Sequence, residues 1–242
     1  MKEFTIKDLK VLIAMPNQGT WESAFGVSML HMITYFMQRP VPEYGGNQQL
    51  RPFDIGGSTL SNMRWKAVKL ALKENFSHVL FIDSDQSFPK DLVHRWVGHK
   101  VDVVAANVAT KRIPSQPTAR YKPKEGDPGY GTPVYTDDKS KGLEKVWRVG
   151  TGVMMVRTSV FRKIEEPLFE VKWRSEVNDY QGEDWSMVEC FERAGVDLWV
   201  DHDVSKQVGH WGKMNYTHAL VGEAVMEDRQ IEFLRSNEKE SA

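Results

Sequence analysis

Short apolar runs alternate with segments of helical periodicity along the first half of the chain, and this alternation constrains the fold more than any other feature. Runs with the length of one buried strand occupy 11–15, 50–55, 79–82 and 101–107. The intervening segments 24–37, 64–74 and 89–97 suit helices, because their apolar residues recur at helical intervals. Strands that alternate with helices predict an α/β fold, an open and mostly parallel sheet with helices on both faces.

Size and composition fit one large domain of a protein that works in solution. The chain has 242 residues, of which 40% are hydrophobic, enough to bury a full core. Its formal charge of −1 argues against a general affinity for nucleic acid or an anionic membrane. Cys190 is the single cysteine, which excludes an intramolecular disulfide and a cysteine metal cluster and suits a reducing compartment. With no apolar stretch of about 20 residues, no membrane span is expected, and the predicted location is cytoplasmic.

The second half of the chain departs from this regular alternation. Proline and glycine recur throughout 110–145, which predicts a long loop or an irregular β-ribbon of the kind that usually serves a function. A strand is expected over 146–157, interrupted by Gly150-Thr-Gly152, followed by helices over 159–164 and 182–194 and a strand over 198–200. The last residues, 223–242, read as a charged C-terminal helix or tail.

Two carboxylates, Asp83 and Asp85, follow the apolar run at 79–82 directly. In open α/β sheets, ligands bind at the carboxyl ends of the strands, where these two side chains are expected to lie. Oxygen ligands suit magnesium and manganese, and such a cation neutralises a diphosphate leaving group. An ordinary turn after a strand, which Asp and Ser favour, explains the same residues.

Two later features add candidate chemistry. Glu183 and Asp184 open a predicted helix, where the helix dipole favours ionised carboxylates and where either acid could serve as a general base. His210 lies between Gly209 and Gly212 after the last predicted strand. Its imidazole could complete a metal site, although a lone histidine is more often a surface residue or a hydrogen-bonded core residue.

The ordered set of these features resembles the GT-A glycosyltransferases, most closely the large family-2-like group of nucleotide-sugar-dependent enzymes. The resemblance extends from Lys10 to Trp211, and its pieces are 11–16, 60–64, 81–85, 150–157, 182–184 and His210. It implies one GT-A domain over 1–222, with a sugar-donor half at 1–110 and an acceptor half at 146–222. The implied activity is transfer of a sugar, expected to be UDP-linked, from a nucleoside-diphosphate sugar to an acceptor hydroxyl.

The resemblance also implies roles for the acidic residues and the histidine. Asp85 would bind manganese or magnesium directly, and Asp83 would contact the ribose or reach the metal through water. His210 would be the third protein ligand. Asp184 would be the general base of an inverting transfer, and Glu183 would orient the acceptor hydroxyls.

Further residues expected to contact the substrates are Pro16, Asn17, Gln18, Arg64, Lys111, Gly152 and Trp185. The turn at 16–18 would line the base pocket, and Arg64 would approach the nucleotide or its phosphates unless it is a solvated helix charge. Trp185 would shield the site or face a sugar ring unless it belongs to the core. Lys111 stands where a sugar or phosphate could bind, but the family pattern assigns it no role.

Two other classes of function stay open at this point. A nucleotidyltransferase of the sugar-1-phosphate type also uses a doubly wound sheet and metal-binding acids. It usually opens with a glycine-rich loop ending in basic residues, whereas 15–20 contains only Gly19 and no cation. A non-catalytic nucleotide- or carbohydrate-binding module would have no use for Asp184. The acceptor, whether glycan, protein or modified nucleic acid base, and the oligomeric state are left open.

Overall fold

The computed structural model describes residues 8–124, 131–165, 167–175, 178–212, 215, 217–218 and 221. Within them the helices are α1 (Ser23–Gln38), α2 (Leu60–Lys73), α3 (Leu92–Gly98), α4 (Thr158–Phe161), α5 (Glu183–Arg193) and α6 (His202–Ser205). The strands are β1 (Leu9–Asn17), β2 (Gln48–Gly56), β3 (His78–Ile82), β4 (Gln86–Ser87), β5 (Val103–Ala105), β6 (Arg120–Tyr121), β7 (Thr132–Pro133), β8 (Leu143–Val146), β9 (Val153–Arg157), β10 (Lys172–Arg174), β11 (Asp179–Gln181), β12 (Leu198–Asp201) and β13 (Gly209–His210). The predicted tail at 223–242 lies outside the described residues.

A seven-stranded sheet in the order β2-β1-β3-β9-β5-β12-β8 forms the centre of the fold. Strand β1 is parallel to both β2 and β3, and β12 is parallel to β5. Strand β9 lies antiparallel between β3 and β5, and β8 is antiparallel to β12. The prediction of a mostly parallel sheet is therefore confirmed, with two strands that run the other way.

Helices cover both faces of this sheet, as predicted. Strand β1 is buried along almost all its length, and its side chains alternate between two cores: Leu12 belongs to one and Ile13 to the other. The first core takes its helical side chains from α2, α4 and α5, and the second from α1, α3 and α6. A strand that is apolar on both faces, as 11–15 is, needs this double cover.

Some predicted boundaries were wrong. The strand expected over 146–157 is two separate strands: β8 ends at Val146 on the sheet edge, and β9 begins at Val153 in the centre, after the Gly150-Thr-Gly152 break. The helix expected from residue 89 begins at Leu92, because the amide of Leu92 bonds the carbonyl of Pro89 in a turn. The strand expected over 101–107 is shorter, Val103–Ala105.

In its described parts, 110–124 and 131–145, the long proline- and glycine-rich segment is an irregular ribbon that Asn107 fastens to the sheet. It contains the short antiparallel pair β6–β7. The Asn107 side chain is fully buried, accepts a hydrogen bond from the amide of Ala119 (2.9 Å) and donates to the carbonyl of Val134 (2.7 Å). One buried amide thus holds two stretches of ribbon, which stabilises a segment with little regular structure. No described helix is long and apolar enough to cross a membrane.

Candidate functional site

A cleft of about 330 Å³ opens at the carboxyl ends of β1 and β3. These strands are parallel neighbours, so the residues that follow them emerge side by side. Among the residues that line the cleft are six with predicted site roles: Pro16, Asn17, Gln18, Asp83, Asp85 and Lys111. The structure therefore brings the predicted base-pocket turn and both carboxylates of the Asp-x-Asp pair into one cavity.

The turn at the end of β1 is shaped by the Asn17 side chain. Its Nδ2 donates to Asp54 on the neighbouring strand β2, and its Oδ1 accepts from the amide of Gly19 at 2.8 Å. Gly19 adopts φ +96°, which suits glycine. Because the Asn17 amide is engaged in this way, the turn presents its backbone and Gln18 to the cleft. The partner Asp54 was not singled out from the sequence, since only the register of β1 and β2 places it there.

Arg64 of helix α2 joins the end of β3 to the start of α5. One terminal nitrogen donates to Asp83 Oδ1 at 2.9 Å, and the other donates to Glu183. The Arg64 side chain is only 3% exposed. Burial alone would lower the pKa of Arg64, but Asp83, Glu183 and Asp184 outweigh it, so that the pKa is raised. Two predicted site elements that are 100 residues apart in the chain are thus held together by one buried cation.

The pKa of Asp83 is raised, and burial is the main cause. The Arg64 guanidinium opposes this shift, whereas the neighbouring Asp85 carboxylate adds to it. The amide of Asp83 bonds the carbonyl of Gly152 at 2.9 Å, which ties the predicted Gly152 to the end of β3. Asp83 is therefore held through both its backbone and its side chain.

Asp85 has different partners. Its Oδ2 accepts from Lys111 Nζ and lies 3.4 Å from His210 Nε2. Burial alone would raise the pKa of Asp85, but the hydrogen bonds and charges of His210 and Lys111 outweigh it and lower the pKa to about 2. Asp85 is thus ionised at neutral pH, and the Lys111 ammonium and the His210 imidazole lie beside it.

A small antiparallel pair, β4 and β13, places His210 opposite this carboxylate. His210 pairs with Gln86, and the amide of Trp211 bonds the carbonyl of Asp85 at 2.7 Å. A side chain at Gly209 would stand 2.7 Å from Ser87 Oγ, so a larger residue would force that hydroxyl to move. The carbonyl of Ala109 lies 2.8 Å from His210 Nδ1 and can only accept, so Nδ1 carries a proton and Nε2 faces Asp85.

The side chains of Asp85 and His210 fit a divalent cation. Manganese accepts carboxylate oxygens as ligands. It also accepts imidazole nitrogens, and here the tautomer is fixed by the hydrogen bond of the other ring nitrogen. Next to them, Gln86 is buried, its Nε2 lies 3.4 Å from Asp85 Oδ1, and its Oε1 has no hydrogen-bond partner among the described residues. Gln86 was missed from the sequence; its position directly after the Asp-x-Asp pair was the available signal.

Asp83, predicted to reach the metal through water, has a different partner from Asp85 and His210. Its Oδ1 accepts a hydrogen bond from Arg64. Among the described residues, no group of three or more His, Cys, Asp and Glu side chains is arranged to hold a metal ion. A site built on Asp85 and His210 alone would leave several positions for water and phosphate oxygens, as magnesium sites commonly do.

Asp184 lies in the first turn of α5, close to the same cluster. Its Oδ1 accepts from the amide of Trp185 at 2.8 Å, and its Oδ2 faces Gly150, 3.6 Å from the position a side chain would take there. Burial raises the pKa of Asp184, with Arg64 opposing. Burial thus acts against the helix dipole, which favours the ionised form. A carboxylate with a raised pKa is a stronger proton acceptor.

Trp185 packs against Arg148 beside Asp184. The Arg148 guanidinium carbon lies 4.4 Å from the Trp185 ring centre and 3.9 Å from that of Trp147, so the cation is stacked between two indoles. Arg148 also donates to Glu189 at 3.1 Å. One side of Trp185 is thus occupied by a buried cation, and its contact with a sugar ring stays a prediction.

Comparisons with known proteins find similarity only among solved structures. No family model and no curated protein matches the chain. A197 from STIV is 14% identical, with a TM-score of 0.48 over 84% of this chain and 86% of that one. The catalytic domain of Drosophila beta1,4galactosyltransferase 7, complexed with xylobiose, is 12% identical, with a TM-score of 0.48 over 84% and 71%. The nucleoside-diphosphate-sugar pyrophosphorylase from Vibrio cholerae is 9% identical, with a TM-score of 0.40 over 79% and 91%.

Structures of a glycosyltransferase and of a pyrophosphorylase are thus both among those to which this chain is similar. All three identities lie below 15% and all three TM-scores below 0.5. Similarity at this level does not distinguish one activity from the other, and the function has to be argued from the site.

Proposed function

We propose that the chain is a metal-dependent glycosyltransferase that moves a sugar from a nucleoside-diphosphate sugar, UDP-linked, to an acceptor hydroxyl. The observation that carries this proposal is the link through Arg64. The buried Arg64 guanidinium binds two carboxylates. One is Asp83, which lines the cleft, and the other is Glu183, which directly precedes Asp184. Arg64 would thereby fix the proposed nucleotide site relative to the proposed proton acceptor, and such positioning favours group transfer.

The cleft suits the nucleotide part of such a substrate. The turn at 16–18 and the side chains of Leu60 and Met63 line one part of it, and Asp83, Asp85 and Lys111 line another. An apolar part would accept the base, and the charged part would face ribose and diphosphate. Asp85 and His210 would hold a manganese or magnesium ion, which when bound neutralises the diphosphate as it leaves.

Asp184 is the proposed general base. It would take the proton of the acceptor hydroxyl while that oxygen forms its bond to the anomeric carbon and the bond from this carbon to the diphosphate breaks. Attack from the side opposite the leaving group inverts the configuration at the sugar. Glu183, fixed by Arg64, would accept a hydrogen bond from another acceptor hydroxyl. The acceptor itself stays unassigned.

The competing activity is nucleotidyl transfer, and the observation in its favour is Lys111. This lysine supplies a cation in the cleft, whereas the segment 15–20 contains none. In such an enzyme the attacking oxygen belongs to an ionised sugar phosphate and needs no general base, whereas transfer to a hydroxyl would use Asp184, an acid with a raised pKa.

The test is incubation with a panel of nucleotide sugars and manganese, with slow hydrolysis of the sugar donor as the readout. The proposal expects free nucleoside diphosphate and no pyrophosphate. Asp85→Ala should remove the activity. Asp102→Ala is the matched control, because Asp102 lies at the opposite end of the sheet, paired with Arg157. Release of pyrophosphate from a nucleoside triphosphate and a sugar phosphate would establish the competing activity instead.

A further inference from the structure

Lys111 holds the oxygen on which the proposed cation would bind. Its Nζ donates to Asp85 Oδ2, the same atom that lies 3.4 Å from His210 Nε2. The ammonium group thus stands beside the carboxylate oxygen and imidazole nitrogen that make up the proposed ligand pair. An ammonium and a divalent cation compete for this position, because both are attracted to the charge on Oδ2 and they repel each other.

The stem of the Lys111 side chain packs against the chain that follows His210. A side chain on Gly212 would stand 3.3 Å from Lys111 Cδ and 3.4 Å from Cε, so the chain after His210 runs along the lysine stem. Yet the side chain is 33% exposed and lines the open cleft. The ammonium is therefore positioned by packing but free to move into the cleft, which the buried guanidinium of Arg64 is not.

From this geometry we infer that Lys111 acts as a stand-in for the cation in the free protein, and that the metal displaces it only together with a nucleoside diphosphate. The inference rests on the proposed function. A metal ion alone would expel the ammonium from Asp85 and leave it without a counter-ion. A metal ion that arrives with a diphosphate brings new oxygens for the same ammonium. Lys111 would thus change from partner of Asp85 to partner of the leaving diphosphate.

This exchange couples the two ligands. The free protein should bind manganese weakly. UDP should strengthen manganese binding by more than the formation of a manganese–UDP complex in solution explains. Removing the ammonium should therefore have opposite effects on the two ligands: manganese alone binds more tightly, because its competitor is gone, and UDP binds less tightly, because a phosphate partner is gone. A residue that only stabilises the fold would not produce effects of opposite sign.

Electron paramagnetic resonance of free and bound manganese, titrated with and without UDP, tests the inference without any assay of transfer. Lys111→Met should bind manganese alone at least about tenfold more tightly than wild type, the worth of one charge-assisted hydrogen bond. Its affinity for UDP at saturating manganese should fall by a similar factor. Arg112→Met, which removes the adjacent exposed cation, should leave both affinities unchanged.

Three results would overturn the inference. Equal or weaker binding of manganese alone by Lys111→Met would show that the lysine is no competitor. If that variant does not fold, Lys111→Gln takes its place with the same expectation. If the wild-type protein bound manganese equally well with and without UDP, the coupling would be refuted and the proposed function would stand. A wild-type protein that binds no manganese even with UDP would refute both.

Discussion

Asp83 and Asp85 are separated by a single residue in the chain, yet their side chains have different counter-ions. Asp83 faces Arg64, which is buried and also bound to Glu183. Asp85 faces Lys111 and His210, whose side chains are 33% and 21% exposed. The first carboxylate has a fixed counter-ion and the second an exchangeable one. Only the second can therefore bind a cation from solution without breaking a buried ion pair.

Removing the two counter-ions should show this contrast most strongly. Arg64→Met strips the cation from Asp83 and Glu183 together, and the free energy of unfolding should fall by about 3–5 kcal/mol, the usual cost of breaking a buried ion pair. Lys111→Met should change it by less than about 1 kcal/mol, as for exposed pairs. Urea denaturation followed by circular dichroism measures both. Similar losses in the two variants would mean that the counter-ions do not differ as described.

Asp184 extends the comparison, because it lies near Arg64 as Asp83 does but accepts a hydrogen bond from the backbone amide of Trp185. It is thus a half-buried acid to which no side-chain cation donates a hydrogen bond within the described part of the chain. Asp184→Asn keeps the shape and removes the proton acceptor, so turnover of the sugar donor should fall by roughly 10²–10⁴-fold. Affinity for manganese with UDP should hardly change. A variant that keeps near wild-type turnover would leave Asp184 as a helix-start residue without a chemical role.

The two carboxylates should also differ as ligands. Asp85→Asn should weaken the binding of manganese with UDP by at least about 100-fold, since even residues that only support a ligand are worth 10–100-fold. Asp83→Asn should weaken it by less than about tenfold, because its carboxylate is turned to Arg64. Thermal shift against manganese concentration, at fixed UDP, gives both values. Equal losses would place Asp83 in direct contact with the metal.

The sheet was largely predictable, since its strands are marked by local patterns. Short apolar runs such as 79–82 are typical of buried strands, and the helices between them carry clear apolar faces. The antiparallel β9 was not predictable, because nothing within 153–157 tells on which side of β3 it inserts or in which direction. Strand order is decided by packing between distant segments, and a local pattern does not carry that information.

The site shows the same limit. The acids could be found from the sequence because each follows or begins a recognisable element. Their partners could not, because Arg64 looked as much like a solvated helix charge as a ligand. Only the tertiary packing of α2 brings the Arg64 side chain to Asp83 and Glu183. Lys111 likewise meets Asp85 only because the chain after β13 runs past both.

The smallest expected effect concerns stability and again separates Asp184 from Asp83. Burial raises the pKa of Asp184 above its ordinary value, so the folded state disfavours the ionised form. At neutral pH, which lies above the ordinary pKa of the group, this raised pKa therefore costs stability. That cost declines as the pH falls through the raised pKa, and it is absent below the pKa of the unfolded chain.

Asp184→Asn should accordingly raise the free energy of unfolding at pH 7 by about 0.5–1 kcal/mol, the size of gain common when a functional group that strains the fold is removed. At pH 3 the variant and wild type should be equally stable. Asp83→Asn is the matched comparison: it should bring no gain at pH 7, because it takes away a carboxylate on which the buried Arg64 depends. Urea denaturation at the two pH values measures all of these differences. Stabilisation by both substitutions alike would mean that Arg64 does not distinguish the two acids, and the contrast between a paired and an unpaired carboxylate would be lost.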